Sequence, residues 1–175
     1  YLGNVGLGSY SAAIAVGALL MQLLDFGIPT YAVREIARKK DAAGEYVSNI
    51  MGLRAVISGL LILAAAVLLP VLLASSKITA QTAWVMGLAV FATALSFLAE
   101  PLRAVMLAFE KHHYYAAVWI IERLAFISFA MAMLLTGKGL LEVMLGFAIS
   151  ALIALVINAI VVWKRFTKFS IRIKR

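Results

Sequence analysis

The chain has 175 residues, 65% of them apolar and only 14% charged, with a formal charge of +8 and no cysteine. A soluble domain of this length leaves roughly half of its residues facing water and has nowhere to hide so much apolar surface. Composition thus excludes a water-soluble enzyme, and the lack of cysteine excludes a disulfide framework and a thiolate metal site. The chain reads as an integral membrane protein.

The opening residues, Tyr1-Leu2-Gly3-Asn4-Val5-Gly6-Leu7-Gly8, are rich in glycine and carry no charged segment of the signal-peptide kind. They read as a loop in a fragment whose preceding segment is missing. A membrane crossing takes about 20 mostly apolar residues, because the hydrocarbon layer is roughly 30 Å thick. Five stretches qualify: Ser9–Val33, Ile50–Ala74, Ala83–Ala108, Tyr114–Leu135 and Leu140–Trp163. None alternates as a barrel strand would, and a backbone without water must satisfy its own hydrogen bonds. The predicted fold class is therefore all-α, a polytopic transmembrane helical bundle with five spans. Between the first two, Asp41–Asn49 is expected to begin a helix that runs into the second span. Pro70 reads as that span's termination. Residues 75–82 form an external loop, and Thr136-Gly137-Lys138-Gly139 forms a tight external turn. Residues 1–163 make up a partial bundle, and residues 164–175 a basic cytoplasmic connection. No loop has room for a soluble catalytic domain.

Charge sets the orientation. Arg34, Arg38, Lys39 and Lys40 follow the first span, Lys111 with His112 and His113 the third, and Lys164, Arg165, Lys168, Arg172, Lys174 and Arg175 the fifth. The alternate loops hold only Lys77 and Lys138. Positively charged loops stay in the cytoplasm, so Tyr1 is expected outside and Arg175 inside. The same distribution explains the net charge without nucleic acid as a partner. His112-His113 has no companion at metal-ligand spacing, so no metal is expected. The tail stripe Phe166, Phe169, Ile171 and Ile173 among basic residues would suit anionic lipid, although a plain topogenic tail accounts for it as well.

Function is sought where ionisable groups lie at depth, since each costs at least ~2.5–3.5 kcal/mol there unless it meets a partner or water. Glu122 and Arg123 lie about 12–14 Å past Tyr114 at 1.5 Å per residue, and Asp25 and Glu100 at similar depth. Asp25, Glu100 and Glu122 are candidates for pairing or for coupling to an ion, and Arg123, Arg54 and Arg103 for binding cargo. Two readings stand: a set of pairs, Glu100 with Arg103 and Arg123 with Asp25 or Glu100, or a hydrated cavity. Arg54 and Arg103 lie nearer the basic edge, where snorkelling is the plainer account of Arg54. Pro29 cannot donate to the carbonyl of Asp25, nor Pro101 to that of Phe97, which makes both prolines hinge candidates. Trp119 is deeper than an interfacial belt position.

Several stretches carry a resemblance. Leu2-Gly3, Gly6-Leu7-Gly8-Ser9-Tyr10, Leu24-Asp25-Phe26-Gly27-Ile28, Val33-Arg34-Glu35-Ile36-Ala37-Arg38, Ala108-Phe109-Glu110-Lys111 before Tyr114, and Ile120-Ile121-Glu122 resemble the start of polysaccharide-biosynthesis flippases. These are the Wzx-like members of the multidrug/oligosaccharidyl-lipid/polysaccharide exporter superfamily. The resemblance implies a transporter of two helical bundles enclosing a cavity by alternating access, with this chain as helices two to six of the first bundle. It implies a cell-membrane protein, not an enzyme, that moves undecaprenyl-pyrophosphate-linked oligosaccharide to the outer leaflet for cell-surface polysaccharide such as O-antigen. Its partners would be that lipid-linked cargo, membrane lipids and other polysaccharide assembly proteins. No cofactor is implied beyond a coupling Na⁺ or H⁺. An intramembrane arginine suits a pyrophosphate because its planar donors match phosphate oxygens. Alternatives are a cation-coupled drug antiporter of the same superfamily, part of a membrane polysaccharide polymerase or ligase, and an assembly subunit whose buried charges are all paired.

Overall fold

A computed structural model describes residue 8, residue 11 and residues 14–22, 27–76 and 78–166. Everything described is helix or short connection, with no strand. Helix α1 is described over residues 14–22. After it come α2 (Ile28–Arg38), a single 3-10 turn (Lys40–Ala42), α3 (Ala43–Ala74), α4 (Ala80–Ala108), α5 (His112–Leu135) and α6 (Leu140–Arg165). Helices α3 to α6 are each long and apolar enough to cross a membrane. The protein is an integral membrane helical bundle.

The stretch expected as one helix over Ser9–Val33 is instead interrupted. Gly27 takes the left-handed conformation (φ 72°), and a new helix starts at Ile28 with Pro29 in its first turn. Proline belongs there: its fixed φ suits the first turn, and its missing N–H would have no helical partner anyway. Pro29 is thus a helix start rather than a kink in a continuing span. The basic cluster expected as a loop is helical as far as Arg38, with Ala32 and Ile36 buried and Arg34 and Arg38 outward. Four described helices, rather than five, have the length and apolarity to span. Pro70 is a second correction, since α3 continues through it to Ala74 and ends only at Ser75.

The remaining boundaries fall close to expectation. The 3-10 turn at Lys40–Ala42 leads into α3, so the helix starting in the Asp41–Asn49 region does run into the second span. Helix α4 is capped by Thr79, whose hydroxyl accepts from the Thr82 N–H at 3.2 Å. Thr136-Gly137-Lys138-Gly139 is a tight turn in which Gly137 is left-handed (φ 74°) and Lys138 N–H reaches back to Met133 O at 2.9 Å. At its far side the Gly139 N–H donates to Glu142 Oε2 at 3.0 Å, capping α6.

Helix α4 is the axis of the packing, touching α2, α3 and α6 extensively but α5 only slightly. Its seam with α6 is built from small and medium side chains in layers: Val85 and Ala89 with Leu140 and Met144, then Ala92 and Leu95 with Ala148 and Ala151. A third and larger core at the basic end joins Leu102, Val105 and Met106 to Ile36, Val47, Val118 and Val162. Lipid is as apolar as leucine, so small residues that let backbones approach mark the packed faces better than hydrophobicity does. Helix α3 shows this at both ends. Its buried residues run from Ala43 to Ser58, and its C-terminal half, Leu-, Ala- and Val-rich, has none.

Candidate functional site

The charges at depth sort into three arrangements, each set by the helix that carries it. Arg103 lies one turn from Glu100 on α4, and its Nη1 donates to Glu100 Oε1 at 2.8 Å. Its Nη2 donates across to Glu122 Oε2 on α5 at 2.7 Å. The Arg103 and Glu122 side chains are 11% and 9% exposed and Glu100 26%, so the triad is largely shielded by protein. The i, i+3 pair follows from helical spacing alone. Among the described residues the bridge between helices is made by Arg103 to Glu122, and Glu100 pairs with Arg103 rather than Arg123; the alternative pairing of Arg123 with Asp25 lies outside them.

Arg54 is the second arrangement, and it corrects the expectation of snorkelling. It is 1% exposed and among the largest fully buried side chains of the described residues. Its Nη1 donates to the Phe97 carbonyl on α4 at 2.8 Å, and its guanidinium lies 4.1 Å from the Phe97 ring centroid. One turn further along α3, Ser58 Oγ donates to Ala94 O at 3.4 Å. Both Arg54 and Arg103 are therefore engaged by protein groups.

Arg123 forms the third. It follows Glu122 on α5 but points to a different side, with its guanidinium 5.4 Å from the Trp119 ring centroid. Trp119 and Arg123 are an i, i+4 pair, a spacing from which this contact could have been read in the sequence. Arg123 borders a cavity of about 280 Å³ between α1, α4, α5 and α6, whose walls include Gly17, Thr93, Ser96, Phe126 and Phe147. Gly17 permits that closeness: a Cβ there would lie 2.8 Å from Thr93 Oγ1. Among the described residues Arg123 is the one charged side chain on this wall, and Thr93 and Ser96 add hydroxyls. A larger groove of about 390 Å³, between the C-terminal half of α3 and α4, is lined mainly by Leu, Ile, Ala, Trp and Phe side chains and holds no charged one among the described residues. Size favours the groove, but polar recognition needs the donors of the smaller cavity.

Asp25 lies outside the described residues, as does the tail after Phe166. Among the described residues no group of three or more His, Asp or Glu could hold a metal ion. The turn between α4 and α5 forms an aromatic knot that the sequence did not announce. Phe166 packs edge-on against Phe109 and Tyr114 at 5.4 and 5.7 Å, and Lys40 Nζ sits 5.5 Å from the Phe109 ring. The three segments that carry the basic clusters thereby meet at one end of the bundle.

A membrane-embedded helical bundle with charged side chains buried between its helices defines the class. The chain belongs to the polysaccharide biosynthesis protein family, which it matches over residues 1–175. No curated protein and no solved structure matches it.

Proposed function

We propose that this chain is part of a transporter that flips lipid-linked oligosaccharide repeat units across the cell membrane during cell-surface polysaccharide biosynthesis. The family places the protein in polysaccharide synthesis or export. The observation that favours movement of an anionic cargo is the cavity beside Arg123, where a guanidinium faces open space with hydroxyls and no carboxylate on the described wall. A pyrophosphate linkage carries negative charge at the point where sugar meets lipid, and a planar fork of donors can hold two of its oxygens at once. Trp119 backs the guanidinium and limits where it can swing.

In this reading the basic end faces the cytoplasm, by the positive-inside rule, and a second bundle closes the cavity's open side during alternating access. The bundle moves its cargo without making or breaking bonds in it. The Glu100–Arg103–Glu122 triad holds two carboxylates for one guanidinium, and its surplus acid, with Asp25, is where a coupling Na⁺ or H⁺ would exchange.

The test uses the complete protein in liposomes with a fluorescent polyprenyl-pyrophosphate-linked sugar, following loss of its fluorescence to a membrane-impermeant quencher. Protein should accelerate transfer between leaflets. Arg123→Ala should slow it by about tenfold or more, the equivalent of one charge-assisted hydrogen bond. Transfer no faster than in empty liposomes, combined with proton-driven movement of a cationic dye, would replace this reading with the antiporter one.

A further inference from the structure

Helix α4 runs without interruption from Ala80 to Ala108 although Pro101 lies inside it. Proline has no N–H, so the helix cannot supply the usual donor to the carbonyl four residues back, which is Phe97 O. An unmet carbonyl inside a membrane protein is costly and normally finds a substitute. The substitute here comes from another helix: Arg54 Nη1 on α3 donates to this same Phe97 O at 2.8 Å. The guanidinium also stacks on the Phe97 ring, and Ser58 fastens to Ala94 O one turn away. Beyond Ser58, α3 buries nothing further. Arg54 and Ser58 therefore make the described side-chain hydrogen bonds from α3 to α4, and past them the two helices meet only through apolar groups such as Leu69 beside Gly87.

We propose that Arg54 is a positioning residue rather than a cargo ligand: it supplies the donor that Pro101 withholds and so fixes the segment of α4 that bears Thr93 and Ser96. Those two residues lie within about one turn of Phe97 and line the cavity that Arg123 borders. Losing Arg54 would free the Phe97 carbonyl to seek another donor and let that wall shift. This role stands whether the cavity takes a lipid-linked sugar or another solute.

Pro101→Ala restores a backbone N–H aimed at Phe97 O, which makes the proposal testable by a double-mutant cycle in the complete protein. Arg54→Met should lower the folded-to-unfolded ratio in SDS-titrated unfolding, and Pro101→Ala should remove most of that loss, with a coupling of about tenfold. An equal loss in both backgrounds would overturn the proposal, as a cargo-binding role predicts. The second readout uses the chain's lack of cysteine. In the complete protein, with any cysteine outside these 175 residues replaced by serine, Ser96→Cys then reports alone, through its labelling rate with a water-soluble thiol reagent. Arg54→Met should change that rate in the folded protein several-fold, and much less when Pro101→Ala is also present. An unchanged rate would reduce Arg54 to a stabilising contact and refute positioning. Should Arg54→Met not fold, Arg54→Lys keeps one donor without the planar stack, and the same two comparisons with Pro101→Ala decide the matter.

Discussion

Replacing Arg103 with Met tests the charge triad most sharply. The guanidinium is shared between Glu100 at 2.8 Å and Glu122 at 2.7 Å, so its removal strands a carboxylate on α5 that is only 9% exposed. Removing one partner of a buried ion pair costs about 3–5 kcal/mol. The Glu100 share adds little, because that side chain is 26% exposed and the pair is local to one helix turn. The expected loss is therefore at the low end, about 3 kcal/mol. A neutral interhelical hydrogen bond in a membrane averages only about 0.6 kcal/mol, so a loss of that larger size identifies charge as its source. SDS-titrated unfolding in mixed micelles measures it. Adding Glu122→Gln to Arg103→Met should recover most of the loss, since a neutral amide strands no charge. A single variant within about 0.5 kcal/mol of the parent, or a double variant no better than the single, would refute a buried triad.

Two further substitutions probe the backbone. Gly146 on α6 faces the Phe129 ring of α5 so closely that a Cβ would collide with it. Gly146→Leu should force α5 and α6 apart and cost about 1–3 kcal/mol, visible as an earlier unfolding midpoint in the same titration. Gly27 has open space around a would-be Cβ, so Gly27→Ala should cost only the left-handed conformation, about 1 kcal/mol, and Gly27→Asn less. If Gly27→Ala is neutral, the break between α1 and α2 does not depend on that conformation.

The helices were legible because hydropathy alone sets spans in lipid: three of the four spanning helices start and end within three residues of the predicted limits, and the second span begins earlier through the helix foreseen at Asp41–Asn49. The first stretch misled because Leu24–Val33 is apolar enough to continue a span, and hydropathy does not register that Gly27 is left-handed and that a helix with Pro29 in its first turn starts after it. Depth counted along the chain pointed to Glu122, which is buried, and to Glu100, which is half-buried, but also to Arg123, which is exposed, and helical spacing gave Glu100 with Arg103. It could not say which face of α5 Glu122 and Arg123 present, because successive residues point about 100° apart and only tertiary packing decides their partners. Arg54 was read as an edge residue from its distance to the basic loop. Its true surroundings follow from Pro101, forty-seven positions away, whose orphaned carbonyl was foreseen without its donor.

The most direct measurement is complementation in a cell lacking its own flippase, comparing the complete protein and its Arg123→Ala variant at matched membrane levels. The account predicts that the parent restores surface polysaccharide and that the variant, equally abundant and folded, does not. Equal restoration by both would remove Arg123 from the cargo path and contradict the assignment of the cavity beside it.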